Sequence, residues 1–112
     1  MESDSDTLPL ELDAVAVARM RKNGEPVGLL DVREAWELDI CRIEGSLHIP
    51  MGELPSRLHE LPTGSPLVVL CHHGMRSMQV TQWLRQSGIA AINLGGGIDA
   101  WARHVDPTLS LY

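Results

Sequence analysis

Apolar residues along this chain come in short blocks separated by segments with helical spacing. Val27-Gly28-Leu29-Leu30-Asp31-Val32, Leu67-Val68-Val69-Leu70 and Ala90 to Leu94 are nearly unbroken apolar runs, the pattern of strands buried on both faces. Between them the spacing changes. Leu10 to Lys22 predicts a helix with Leu12, Val15 and Ala16 on one side, closed by Asn23-Gly24 as helices commonly close. Glu34 to Ile40 predicts a short helix presenting Trp36 and Ile40 one turn apart. Leu54, Leu58 and Leu61 recur at helical spacing, with Pro55 acceptable in a first turn. A helix from about Arg76 places Val80, Trp83, Leu84 and Ser87 on one face and stops at Gly88, and a last helix spans Ile98 to His104. Trp36, Trp83 and Trp101 all fall at positions that read as core.

The connecting segments are clear. Gly45 to Pro50 reads as a turn with a brief extended piece, Pro62-Thr63-Gly64-Ser65-Pro66 as a loop, and Gly95-Gly96-Gly97 as a tight turn. Residues 1–7 read as a loose, solvated tail and residues 8–112 as a single domain. Short apolar strands alternating with helices predict an α/β fold with a parallel sheet covered on both faces. In such sheets ligands bind beyond the carboxyl ends of the strands. Two segments sit at such ends: the loop after Leu70, and Asp31-Val32-Arg33.

Composition narrows the partners. The chain has 112 residues and a net charge of −6, which disfavours nucleic acid and anionic membrane. Two cysteines make no disulfide framework. The start, Met1-Glu2-Ser3-Asp4-Ser5-Asp6, lacks the basic and apolar parts of a signal peptide, and no apolar run reaches transmembrane length. These features lead us to expect a soluble protein of a reducing compartment, the cytoplasm.

One of the two strand ends carries chemistry. Cys71 closes an apolar strand and is followed by His72-His73-Gly74-Met75-Arg76-Ser77, where a helix begins. A lone cysteine ending a strand is commonly just a small buried hydrophobe. Here, however, it faces unpaired N–H groups and the positive end of a helix dipole, an environment that favours the reactive thiolate. Gly74 permits the backbone a tight loop requires, and Arg76 and Ser77 add donors where the loop closes. Cys71 is therefore the candidate nucleophile. Cys41 follows an amphipathic segment and reads as a packed residue rather than a resolving thiol. Cys71, His72 and His73 are adjacent potential metal ligands, but no second spaced pair accompanies them, so no metal is expected.

Four segments together resemble the rhodanese-like family. Asp31-Val32-Arg33-Glu34, continued by Trp36-Glu37, is similar to its acidic-Val-Arg motif after a strand. Ile43-Glu44-Gly45-Ser46-Leu47-His48-Ile49-Pro50 is similar to its I-P-G-A-x-N-I-P segment, with His48 where Asn is frequent and Cys41-Arg42 in place of Gly-His. Cys71 to Ser77 resembles the active-site loop, and Gly96-Gly97-Ile98-Asp99-Ala100-Trp101 the closing Gly-Gly-x-x-x-Trp signature. The resemblance spans roughly Leu8 to Trp101. It implies a three-layer α/β domain with a central, mostly parallel sheet of about five short strands and helices on both faces.

The resemblance also implies persulfide chemistry, with the sulfurtransferase branch favoured by loop length. Four residues separate Cys71 from Arg76, whereas cysteine phosphatases of similar fold carry five. A shorter loop makes a tighter ring of amides, suited to a terminal sulfur. The expected reaction is ping-pong transfer: the Cys71 thiolate takes sulfane sulfur from thiosulfate or a persulfide, and a thiol or cyanide removes it. His72, His73, Gly74, Met75, Arg76 and Ser77 are the expected anion-binding residues, with Arg76 holding the negative charge. Ser77 either caps the helix or donates to sulfur. Asp31 and Arg33 are expected to brace the loop, and no cofactor is implied. The alternatives are a persulfide carrier serving a sulfur-relay protein, a non-catalytic binding module, and a phosphatase or arsenate reductase. An exposed apolar patch beside the loop would favour the relay.

Overall fold

The computed structural model describes residues 8–112, so the tail expected over residues 1–7 lies outside the described residues. The apolar runs form strands β2 (Gly28–Asp31), β4 (Leu67–Leu70) and β5 (Ala91–Gly95), joined by two short edge strands, β1 (Glu11–Asp13) and β3 (Leu47–His48). They make a five-stranded sheet in the order β1-β5-β4-β2-β3, and every neighbouring pair is parallel. The helices are α1 (Ala14–Lys22), α2 (Ala35–Ile40), α3 (Met75–Gln86) and α4 (Gly97–His104).

Strand periodicity divides the core in two. Leu29, Val68, Leu70, Ile92 and Leu94 face the layer built by Ala14 and Val17 of α1 and Ile98 and Trp101 of α4. Leu30, Leu67, Val69, Cys71 and Ala91 face the opposite layer, with Val80 and Leu84 of α3 and Leu54 and Leu61. This is the expected α/β architecture, with helices on both faces and the sheet wholly parallel. The two cysteines belong to opposite layers: Cys41 packs with the α1–α4 side and Cys71 with the α3 side.

Several elements differ from the sequence expectation. The helix expected from Leu10 begins only at Ala14, because Asp13 is its N-cap and accepts from the Ala16 N–H at 2.8 Å. An N-cap requires extended backbone, and Glu11 to Asp13 use it to pair with Asn93 to Gly95. The Leu54–Leu61 stretch is not an α-helix but two 3-10 turns, Met51–Ser56 and Leu58–Glu60, broken at Arg57. Pro55 lies inside the first and has no N–H to give to an α-helical ladder. Leu54 and Leu61 are nevertheless buried.

Two of the three tryptophans are not core. Trp101 is buried, but Trp36 is 61% exposed and Trp83 36% exposed. The inward position of α2 is taken by Glu37, and the inward face of α3 by Ser77, Val80, Thr81 and Leu84, with Ser87 outside it. In both helices a polar residue claims the buried face for a hydrogen-bond network, which turns the indole outward.

The turn between β5 and α4 fixes the Cys71 loop. The N–H of Ile98 donates to the Cys71 carbonyl at 2.8 Å, and that of Asp99 to the His72 carbonyl at 3.1 Å. Such an approach leaves no room for a side chain at Gly97, whose φ is +61° and whose added Cβ would collide with the Cys71 and His72 carbonyls. Gly97→Ala is expected to cost about 3 kcal/mol or more, from the left-handed backbone and the collision together. Thermal unfolding of G97A beside Gly52→Ala, where an added Cβ meets nothing within 4 Å, checks this; the control should stay near wild type.

Candidate active site

Cys71 continues β4 and is fully buried, with its sulfur turned toward the start of α3. Sγ accepts from the Gly74 N–H at 3.1 Å and from the Ser77 N–H at 3.4 Å. The N-cap of α3 is Gly74, whose φ of +100° folds the chain back so that these amides converge. An added Cβ there would stand 3.2 Å from the Gly96 nitrogen, so the glycine turn after β5 and the Cys71 loop are packed against each other. Ser77 does not cap the helix. It lies within the first turn of α3, and its Oγ is 3.3 Å from Sγ and 2.6 Å from Asn93 Oδ1.

Arg76 does not stand free to meet an anion. Its two terminal nitrogens donate to the two carboxylate oxygens of Glu37 at 2.7 and 2.9 Å. This fork ties α3 to α2 and compensates the arginine's charge. Glu37 also accepts from its own helix start, the Glu34 N–H, at 3.0 Å. The Arg76 guanidinium, with Tyr112 as a further donor, holds the Glu37 carboxyl down at about 2 against the opposing effect of burial.

Asp31 and Arg33 form a buried pair with 2.8 Å between Nη2 and Oδ2 and no exposure of either side chain. Every donor of the Arg33 guanidinium finds an acceptor. Nε binds Asp31, Nη2 binds Asp31 and the Cys41 carbonyl, and Nη1 binds the Glu37 carbonyl and the Tyr112 hydroxyl. His48, at the position where the resembling segment often has Asn, places Nε2 2.7 Å from the Arg33 carbonyl. Since a carbonyl only accepts, this nitrogen carries the proton.

The segment after α4 returns to this network. The Tyr112 hydroxyl accepts from Arg33 and donates to Glu37 at 2.6 Å, and its ring stacks on His72 with centroids 3.7 Å apart and planes within 2°. Burial, then the bond to Glu37, pushes the phenol up to about 12. Burial, and then His73, lowers the pKa of His72. Its Nε2 is buried with no hydrogen-bond partner. His73 is exposed, and Met75 is 79% exposed.

Of the expected site residues, His73 and Met75 face outward, and others take different partners from those expected. Cys71, Gly74 and Ser77 meet at the sulfur, whereas Arg76 is engaged by Glu37. Asp31 and Arg33 lie beneath, and reach the loop through Glu37. Sequence reasoning assigned no role to Glu37, Asn93 or Tyr112. An asparagine inside an apolar strand was a usable signal for Asn93, because a buried amide demands partners; for Tyr112 the signal was the apolar character of Asp106 to Tyr112, which left open a return to the loop or contact with a partner. His72, His73 and Asp99 offer donor atoms within 4.8 Å of one another. This trio differs from the Cys71-centred one considered above, and its carboxylate is already paired with Arg103 at 2.9 Å.

The rhodanese-like domain family matches residues 13–104. The chain belongs to that family. A sulfurtransferase of Allochromatium vinosum is 36% identical over 101 residues, covering 89% of this chain and 94% of that protein. The putative sulfur carrier protein YrkF of Bacillus subtilis is 32% identical over 92 residues, covering 81% of this chain and 50% of that one. The crystal structure of reduced CoADR-RHD of Bacillus anthracis superposes with a TM-score of 0.81 at 32% identity, covering 96% of this chain and 19% of that one. The rhodanese-like chain thus has relatives named for sulfur transfer and sulfur carriage. No described helix is long and apolar enough to cross a membrane.

Two outcomes follow from the buried charges. Arg33→Met should destabilise by about 3–5 kcal/mol, since it leaves the buried Asp31 carboxylate without a compensating charge; urea unfolding reads this directly. Glu37→Gln should lose roughly 3 kcal/mol relative to wild type at pH 7. A lowered carboxyl contributes stability above its unfolded value of 4.5 and loses it as pH falls toward about 2. The gap between wild type and E37Q should therefore close across that window.

Proposed function

We propose that this rhodanese-like domain transfers sulfane sulfur through a persulfide on Cys71. The observation that carries the reading is the convergence of the Gly74 and Ser77 amides on a buried Sγ at the N-terminus of a twelve-residue helix. Amides already aimed at a sulfur stabilise negative charge there without reorganising. In the first step the thiolate attacks the outer sulfur of thiosulfate or of a persulfide. The S–S bond formed holds one added sulfur, and sulfite or a thiol leaves with the bonding electron pair. In the second, a thiol or cyanide attacks that outer sulfur and the Cys71 thiolate departs. The backbone of His72, His73, Gly74, Met75, Arg76 and Ser77 forms the anion-binding loop, and Asp31 and Arg33 support it from beneath. No cofactor enters either step. The setting we favour is the cytoplasm, where a thiol nucleophile stays reduced.

With Arg76 compensated by Glu37, the sulfur's charge is met by backbone dipoles, which suits a small, singly charged terminal sulfur. A phosphoryl or arsenate group, with more charge to neutralise, is less well served. The reading with a protein acceptor, as in a persulfide carrier, has its own support. Trp36 precedes Glu37 and Met75 precedes Arg76, so two exposed apolar side chains flank the ion pair beside the loop. Exposed apolar surface of this kind suits contact with another protein.

The test is intact-protein mass after incubation with thiosulfate or a low-molecular-weight persulfide, beside Cys71→Ser, followed by cyanide. A gain of one sulfur atom that C71S lacks, discharged as thiocyanate, is expected. Loading with slow discharge by cyanide and small thiols would favour the carrier. No gain from either donor would overturn the transfer reading and leave a binding module.

A further inference from the structure

The hydroxyl of Ser77 has one hydrogen and two claimants. Its Oγ lies 2.6 Å from Asn93 Oδ1 and 3.3 Å from Cys71 Sγ. Asn93 sits in β5 with no exposure, and its neighbours fix which way its amide points. Nδ2 donates to Glu11 Oε1 at 2.8 Å and to the Gly74 carbonyl at 3.2 Å. Both of those groups only accept, so Oδ1 faces Ser77. Two oxygens at 2.6 Å need a hydrogen between them, and the amide oxygen has none to give. Ser77 therefore donates to Asn93 and turns lone pairs toward the sulfur.

That arrangement suits a thiol, whose S–H can point at Ser77 Oγ. It does not suit an anionic sulfur, which needs the hydroxyl hydrogen for itself. The hydroxyl can turn to the sulfur only by abandoning Asn93 Oδ1 in a buried setting, where an unpaired acceptor is costly. Asn93 thus competes with the nucleophile for one proton.

We propose that Asn93 is a positioning residue for Cys71: acting through the single Ser77 hydrogen, it governs how readily the sulfur becomes anionic. Glu11, on the exposed edge strand β1, holds Asn93 in that orientation. This rests on Cys71 being the nucleophile proposed above, but it concerns the thiol itself and needs no sulfur donor. The other ionisable groups around the loop are Arg76 with its partner Glu37, His72 and His73, Tyr112 stacked on His72, Asp99 at the start of α4, and the buried Asp31–Arg33 pair. The Asn93 amide meets Glu11, Gly74 and Ser77 instead.

The experiment is the pH profile of Cys71 alkylation by iodoacetamide, followed by intact mass with peptide mapping to separate Cys41. Asn93→Ala frees the hydroxyl for the sulfur, so its profile should move to lower pH, with the rate on the acid limb rising about three- to tenfold, the size of one hydrogen bond. Ser77→Ala should move the profile the opposite way. In the double variant, Asn93→Ala should have no further effect, because its influence travels through the missing hydroxyl. Glu11→Ala, at an exposed position, should shift the profile in the N93A direction by less, and it keeps the test decisive if N93A fails to fold. An unmoved profile in N93A, or in E11A where N93A does not fold, overturns the proposal. So does an equal N93A shift with and without Ser77. If persulfide loading fails while these shifts appear, the sulfur-transfer reading falls and the positioning role stands.

Discussion

A guanidinium removed from water organises this molecule. Arg33 has no exposure, and a buried charge is tolerated only when its donors are all met. Meeting them required Asp31 from the end of β2, the carbonyls of Glu37 within α2 and of Cys41 at its C-cap, and the hydroxyl of Tyr112 from the segment after α4. Those demands fix where α2 lies and draw the segment after α4 back across the sheet end. Glu37, held there, presents its carboxylate to Arg76 and so ties α3 into the same network. The loop bearing Cys71 is the piece of chain between β4 and that tethered helix.

The electrostatics of the site follow from this arrangement. Both arginines near the loop are paired with carboxylates, and the chain as a whole carries −6. The sulfur is therefore faced by oriented backbone amides rather than by a net positive patch. Amides at a helix start are short-range and already aligned. They favour a charge placed at one atom over a charge spread across a large anion. The same logic makes the serine hydroxyl consequential, because a single mobile proton is among the few adjustable dipoles beside the sulfur.

Close backbone approach is the second constraint. The Gly95-Gly96-Gly97 turn lets α4 begin directly against the Cys71 and His72 carbonyls. The loop is thereby held from one side by α4 amides and from the other by the Arg76–Glu37 fork. A loop clamped on both sides can keep its amides converging on one atom, which a freely moving surface loop does not do.

Much of this was legible in the sequence because it depends on local pattern. Apolar runs of four to six residues announced three of the five strands, helix-ending glycines marked boundaries, and the strand–cysteine–loop–helix order placed the nucleophile candidate at a sheet end. The resemblance to the rhodanese-like family singled out Asp31 and Arg33 as supports of the loop. What the sequence left undecided depended on partners distant along the chain. Trp36 and Trp83 have the composition of core residues, yet polar side chains one position or a few positions away took the buried faces for ion pairs and hydrogen bonds that a helical period does not reveal. Leu12 looked helical until β5 offered it a strand to pair with. Arg76 looked like an anion binder until Glu37, 39 residues away, claimed it. The apolar segment Asp106 to Tyr112 left open whether it returns to the loop, and the place of Tyr112 was not legible, since stacking on His72 and bonding to Arg33 and Glu37 exist only once separated segments meet. Periodicity and turn chemistry are set by neighbours in sequence, and they determined the layers, the sheet and the position of Cys71. Which charges are neutralised, which indoles face water and where the Ser77 proton points are set by neighbours in space, and only the tertiary structure decided them.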